Sequence, residues 1–191
     1  LGTATADTGG STGTDLSVLT PGLPFLLKIL DVKDMLSIQV HPDLKTAAEQ
    51  FAAEEAAGIP VDAVNRNYKD PNHKPELSVA LGDFWLLHGF RNSEDITDIL
   101  QQVNGLGELL PVFHEKGYQG LYRYIMEMPQ SEVNRILEPV LAGLPALYAG
   151  KDPERFAPDF WVMRATRKHE KGMDIDRGIF SIYLMNIVHL K

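Results

Sequence analysis

The chain has 191 residues, 44% of them hydrophobic, which is enough apolar material for one generous domain or two small ones. Its formal net charge of -8 leaves no broad basic face for a nucleic acid, and it contains no cysteine, so disulfides and thiolate metal sites are excluded. The longest apolar run, Ile179 to Leu190, is interrupted by Ser181, Asn186 and His189 and falls short of the roughly 20 residues a membrane-crossing helix needs.

In chain order, residues 1–20 are mostly Gly, Thr, Ser, Ala and Asp, too poor in large apolar groups to offset their ordering entropy, and read as a mobile connecting loop. Two strands are expected next, Pro24 to Asp31 (PFLLKILD) and Met35 to His41 (MLSIQVH), joined by a charged turn as a hairpin. Leu44, Ala47, Ala48, Phe51 and Ala52 then recur at helical spacing, with Asp43 as N-cap and Gly58 as the stop. Asn65 to Glu76 (NRNYKDPNHKPE) is polar, holds two prolines and should be irregular, and Leu77 to Leu81 resumes a strand pattern.

From Ser93 to about Glu170 the pattern is helical. Its clearest stripe is Val133, Ile136, Leu137, Val140, Leu141 and Leu144 behind an N-cap expected at Ser131. Tyr118, Tyr122 and Tyr124 beside Leu121 and Ile125 read as core packing, and Arg164, Arg167, Lys168 and Lys171 as a solvated helix face. After a turn at MDIDRG, Ile179 to Leu190 carries β-branched and aromatic residues on both faces, the pattern of a strand covered on both sides. Strands, a helical block and a further strand predict a mixed α+β chain in which a helical insertion interrupts a β-rich domain.

The chemistry-bearing residues are few. Along Met35 to His41, Leu36, Ile38 and Val40 share one face, and Ser37, Gln39 and His41 the other, at roughly 7 Å spacing. Periodicity alone favours a half-solvated strand for that alternation; the other reading has the three polar groups lining a cavity, with Gln39 and His41 close enough to converge on one ion. Glu76, at the end of His73-Lys74-Pro75-Glu76, is followed on its own face by the small residues Ser78 and Ala80, which leave room beside its carboxylate. An imidazole nitrogen, a carboxylate oxygen and an amide oxygen suit a borderline divalent ion such as zinc, with one position left for water or substrate. Taken singly, each of these residues is as well explained by an exposed surface position.

The strings PFLLKIL, LSIQVHP and above all AAGIPVDAVNRNYKDPNHKPELSVAL resemble type I mannose-6-phosphate isomerases, and IFSIYLMNIVHLK resembles the strand entering their C-terminal cupin barrel. The likeness is strongest from Leu23 to Arg91 and returns at Gly178 to Lys191. It implies a central piece of a cupin-like β jelly roll: residues 1–91 with the metal motifs, a helical insertion at 92–173, and a returning strand at 174–191. It further implies one Zn2+ held by Gln39, His41 and Glu76, a catalytic and substrate-binding role for Lys74, and substrate binding by Ser37. Lys28 interrupts its strand and is weighed for the same pocket.

The implied activity is a cytoplasmic interconversion of mannose 6-phosphate and fructose 6-phosphate, with no nucleic-acid or membrane partner and an oligomeric state the sequence does not reveal. The alternatives are metal and sugar-phosphate binding without turnover and an inactive, purely structural fragment. Because the chain lacks an initiator methionine and ends on a strand pattern, it reads as part of a longer protein. The family's remaining histidine ligand and a catalytic arginine are expected after Lys191; His189 does not match that histidine.

Overall fold

The computed structural model describes residues 27–149, 151, 153–167, 169–170 and 172–191, together with the backbone of residues 5, 6, 14 and 15. The chain groups into two compact units, Leu1–Lys33 and Asp34–Lys191.

In the first unit, β1 (Thr5–Ala6) and β2 (Thr14–Asp15) form a two-residue antiparallel ladder, a local pairing inside the stretch read as a loop. The rest of that loop lies outside the described residues, as do the first three positions of the strand expected at Pro24 to Asp31. Residues 27–31 belong to no strand, and Leu27, Ile29 and Leu30 are exposed, as is Lys28.

The second unit starts on an extended segment that leads into α1 (Leu44–Ala56). Asp43 is the cap that the sequence predicts: its side chain accepts from the Thr46 N–H at 2.7 Å, and this bond holds its carboxyl below the usual range. Gly58, at φ 69°, turns the chain at the other end, where Gly58 and Ile59 donate to the carbonyls of Glu55 and Glu54.

The strands expected at Met35 to His41 and Leu77 to Leu81 are corrected here. Both stretches belong to no strand, and Leu36, Val40, Leu77, Val79 and Leu81 are exposed. A strand is stabilised laterally, by a neighbour's backbone, and the described residues pair neither segment.

The sheet of this unit forms instead between β3 (Phe84–Phe90) and β4 (Met185–Leu190), antiparallel, with Trp85 opposite His189 and Leu87 opposite Ile187. Its register shifts between Leu87 and Phe90, where Gly89 sits at φ 65° and Asn186 Nδ2 donates to the Phe90 carbonyl at 2.9 Å. Arg91 fastens the end of the ladder, its backbone N–H to the Leu184 carbonyl and its Nε to that of Tyr183.

Between these strands runs a helical body: α2 (Ser93–Gln102), a short 3-10 turn (Gly107–Leu109), α3 (Leu110–Glu127), α4 (Gln130–Tyr148), α5 (Pro158–Ala165) and α6 (Gly178–Leu184). Helix α3 breaks at Gly117, whose φ of 62° is open to glycine at little cost. The expected stripe on α4 is buried at Val133, Ile136, Leu137, Val140 and Leu144, but the helix starts one residue before Ser131, behind Pro129, whose carbonyl takes the Glu132 and Val133 N–H groups. Of the three tyrosines read as core, Tyr122 is half-buried and bonds Ser181, while Tyr118 and Tyr124 reach solvent.

The run Ile179 to Leu190 is not one strand. Its first half forms α6, with Ile179 to Leu184 all buried, and only its second half pairs with β3. An apolar run of this kind has the same composition whether it is a buried helix or a buried strand, so neighbours decide.

The Tyr183 and Tyr148 hydroxyls both donate to the Asp159 carboxylate, at 2.8 and 2.7 Å. Burial, then that carboxylate, raises both phenols, Tyr148 up to about 12. Arg164, expected on a solvated face, pairs with Asp34 and lies over the Phe160 and Trp161 rings. Arg167 is exposed at the end of α5, and Lys168 and Lys171 lie outside the described residues.

Candidate metal and sugar-phosphate site

The end of the segment that leads into α1 meets the far end of the polar return after it. His41 Nε2 lies 3.6 Å from Glu76 Oε2, and Lys74 Nζ lies 3.0 Å from Glu76 Oε1. Lys74, and then the nearby His41, hold the Glu76 carboxyl below the usual glutamate range, so it is ionised at neutral pH. Ser37 and Gln39 are exposed on the same extended segment as His41. Three predicted site residues, His41, Lys74 and Glu76, are therefore side by side, and the structure does not bring Ser37 or Gln39 into contact with them.

This arrangement passes an elementary test of fit. Two ligands about 2.0–2.1 Å from a tetrahedral zinc are separated by roughly 3.3 Å, close to the 3.6 Å between the imidazole nitrogen and the carboxylate oxygen. One nitrogen and one anionic oxygen form a donor set that zinc accepts, and the Gln39 amide would supply a neutral oxygen. Among the described residues no three His, Cys, Asp or Glu side chains cluster as a cation site.

The path between the two halves of the site depends on residues that sequence reasoning passed over. Arg66 has a side chain 0% exposed, the only buried charged residue among those described. Its guanidinium donates to the carbonyls of Tyr68 (2.7 Å) and Ile59 (2.5 Å), and pairs with Glu54 (3.0 Å) and Glu55 (2.6 Å). It also lies 5.0 Å from the centre of the Phe51 ring. Glu54 accepts further bonds from the backbone N–H groups of Tyr68 and Asn67. A signal was present: two glutamates in the last turn of a helix with no basic residue there oppose the helix dipole and call for a cation from elsewhere.

Beyond the clamp, the Asp70 side chain accepts from the Asn72 N–H at 2.9 Å, shaping the turn at Pro71. Of the histidines without an assigned role, His189 is structural. It stacks on Trp85 with ring centres 4.1 Å apart and bonds Asp83 at 2.8 Å.

Residues 7–93 match the family model for phosphomannose isomerase type I, catalytic domain, a span that contains every site residue named above. Over 172 residues, 88% of this chain, the sequence is 38% identical to the mannose-6-phosphate isomerase of Salmonella typhimurium and 39% identical to that of Escherichia coli. The aligned part is 41% of each of those proteins, so the chain spans about two fifths of the curated relatives it matches. The crystal structure of the Salmonella typhimurium mannose 6-phosphate isomerase bound to its substrate f6p and zinc superposes with a TM-score of 0.59 at 36% identity. That match covers 81% of this chain and 38% of that one.

Proposed function

The chain belongs to the type I phosphomannose isomerase family, and on that premise we propose that it supplies the zinc-binding part of an enzyme interconverting mannose 6-phosphate and fructose 6-phosphate. The observation that carries this reading is the approach of His41 and Glu76 to 3.6 Å with Lys74 on the same carboxylate, inside the span matched by the family. Gln39, His41 and Glu76 would hold the ion. Zinc bound there supplies a Lewis acid for the negative charge that builds on the sugar oxygens as a proton moves between the first and second carbons.

The chain's own residues have separate tasks. The Lys74 ammonium, already spending one donor on Glu76, has others to direct at a sugar oxygen, and its charge favours an enediolate over a neutral sugar. The Ser37 hydroxyl can donate to the substrate from the same segment as the ligands. The cysteine-free composition suits a cytoplasmic setting for this activity, and no helix among the described residues is long and apolar enough to cross a membrane. We further read residues 1–91 and 174–191 as contributions to one cupin-like jelly roll around a helical insertion at 92–173. The exposure of the large apolar residues Leu77, Val79 and Leu81, which further chain could cover, supports that reading.

A second reading, binding of metal and sugar phosphate without turnover, draws on the openness of the site: the Lys74 and Glu76 side chains are 65% and 52% exposed, so water reaches the groups that would move the proton. The two are separated by plasma mass spectrometry of zinc and by NMR of mannose 6-phosphate in deuterium oxide. The zinc isomerase reading expects near-stoichiometric zinc that is lost in a Gln39→Ala, His41→Ala, Glu76→Ala variant, together with deuterium entering the second carbon. Zinc without deuterium exchange favours binding alone, and zinc retained in the variant rejects the site.

A further inference from the structure

The two halves of the site are joined through the whole of α1. That helix is about 20 Å long at 1.5 Å per residue, so the chain leaves His41, travels its length, turns, and must return the same distance to bring Glu76 back. The turn is where the Arg66 guanidinium is buried. Its contacts tie the last turn of α1, through Glu54 and Glu55, to the start of the return, through the Ile59 and Tyr68 carbonyls. From Tyr68 to Glu76 the return is shaped by the Asp70 turn and ends on the pairing of Glu76 with Lys74 and His41, and residues 69–76 are all exposed. The origin of the return is thus held tightly and its end lightly.

We propose that Arg66 is a positioning residue for the metal site: by fixing where the return begins, it sets the approach of Glu76 to His41 from the opposite end of α1. The proposal rests on the reading of His41 and Glu76 as zinc ligands. A buried guanidinium with four oxygen partners is suited to this task, because its planar fork holds each partner in a fixed direction where an ammonium would hold them loosely. Removing it leaves two carboxylates and two carbonyls facing one another, which drives the turn apart.

The test uses the full chain with Arg66→Met, Arg66→Lys and, as a control for general destabilisation, Leu137→Val in the helical body. Zinc affinity is measured by titration, and the absorption spectrum of the cobalt-substituted site reports ligand geometry. The proposal expects Arg66→Met to weaken zinc by roughly ten-fold or more, in the range found for residues that orient ligands, and to alter the cobalt spectrum. Arg66→Lys should recover part of the affinity, and Leu137→Val should bind as the unaltered chain does. Near-ultraviolet circular dichroism of Trp85 and Trp161 confirms that the body is folded in every variant.

A separate arm needs no metal. The chain is free of cysteine, so nitroxides placed through His41→Cys and Glu76→Cys report the separation by dipolar broadening, with and without Arg66→Met. Broadening that is lost with Arg66→Met supports the positioning role even where the unaltered chain binds no zinc, an outcome that would reject the metal reading alone. Unchanged broadening, or zinc affinity and cobalt spectrum unchanged in a folded Arg66→Met, overturns the proposal.

Discussion

The helical body and the segment that carries the site obey the same hydrophobic rule with opposite results. In the body, Ile96, Leu100, Ile125, Val133 and Leu137 are wholly buried. Along the site segment the apolar residues of comparable size, Val40, Leu77, Val79 and Leu81, are between 74% and 92% exposed. A helix satisfies its own backbone and needs only something apolar to lie against, which adjoining helices provide. An extended segment needs a lateral backbone partner before its side chains can be covered, and the described residues offer none to 35–41 or 77–81. The candidate site therefore sits on a largely exposed part of the chain, held by a helix cap, a buried arginine, the meeting of His41 with Glu76, and the contacts of Met35 and Asp34 with the helical body.

The largest way to sharpen that contrast is truncation of one leucine in each region. Leu137→Ala should destabilise the chain by about 2–5 kcal/mol in urea unfolding, and Leu77→Ala by less than about 0.5 kcal/mol. Comparable losses at the two positions would break the comparison.

Next in size is Gly105→Ala. Gly105 has φ 96°, and a Cβ there would come 2.6 Å from the Ile136 carbonyl oxygen on α4. Thermal unfolding should show a cost of about 1–3 kcal/mol, against little at Gly82, where an added Cβ meets nothing within 4 Å.

Tyr183→Phe removes one of the two hydroxyls on Asp159 from the buried side of α6. It should cost about 0.5–1.5 kcal/mol and leave zinc affinity unaltered, because its bond to Asp159 involves none of the candidate ligands.

The smallest effect is one of pH, and it is confined to the site segment. The Tyr68 backbone N–H, helped by Asn67 and Arg66, keeps the Glu54 carboxyl below its ordinary value of 4.5. A group whose folded value is depressed contributes stability that is present above the ordinary value and is lost as pH falls through the folded one. In an acid titration followed by NMR, the Asn67 and Tyr68 amide signals should move below about pH 4.5 while those of α4 stay in place. Joint movement of both sets would mean that the turn has no independent stability.

Much of this was legible beforehand. Asp43 as a cap, Gly58 as a stop and the buried stripe on α4 follow from local rules that a helix satisfies within a few residues of itself. The resemblance drew Ser37, Gln39, His41, Lys74 and Glu76 into one group; the fold sets His41 and Lys74 against Glu76 and leaves Ser37 and Gln39 exposed on the segment before His41. The sheet was misplaced: Leu77 to Leu81 has a clear alternation and is unpaired, whereas Phe84 to Phe90 pairs with the second half of a run read as a single strand. The Arg66 clamp was hidden for another reason. Asn65 to Glu76 looks uniformly polar, and polarity describes composition, without saying which charge is drawn inside.

By itself the sequence determined what depends on neighbours along the chain: helix ends, the periodic faces, the absence of sulfur ligands and the identity of the candidate donors. Only the tertiary structure decided which extended segments found a partner, that Ile179 to Leu184 is helical, and that one guanidinium is buried at the turn opposite the site. These outcomes rest on contacts between residues far apart in sequence. Their free energy depends on which surfaces meet, and periodicity does not record that.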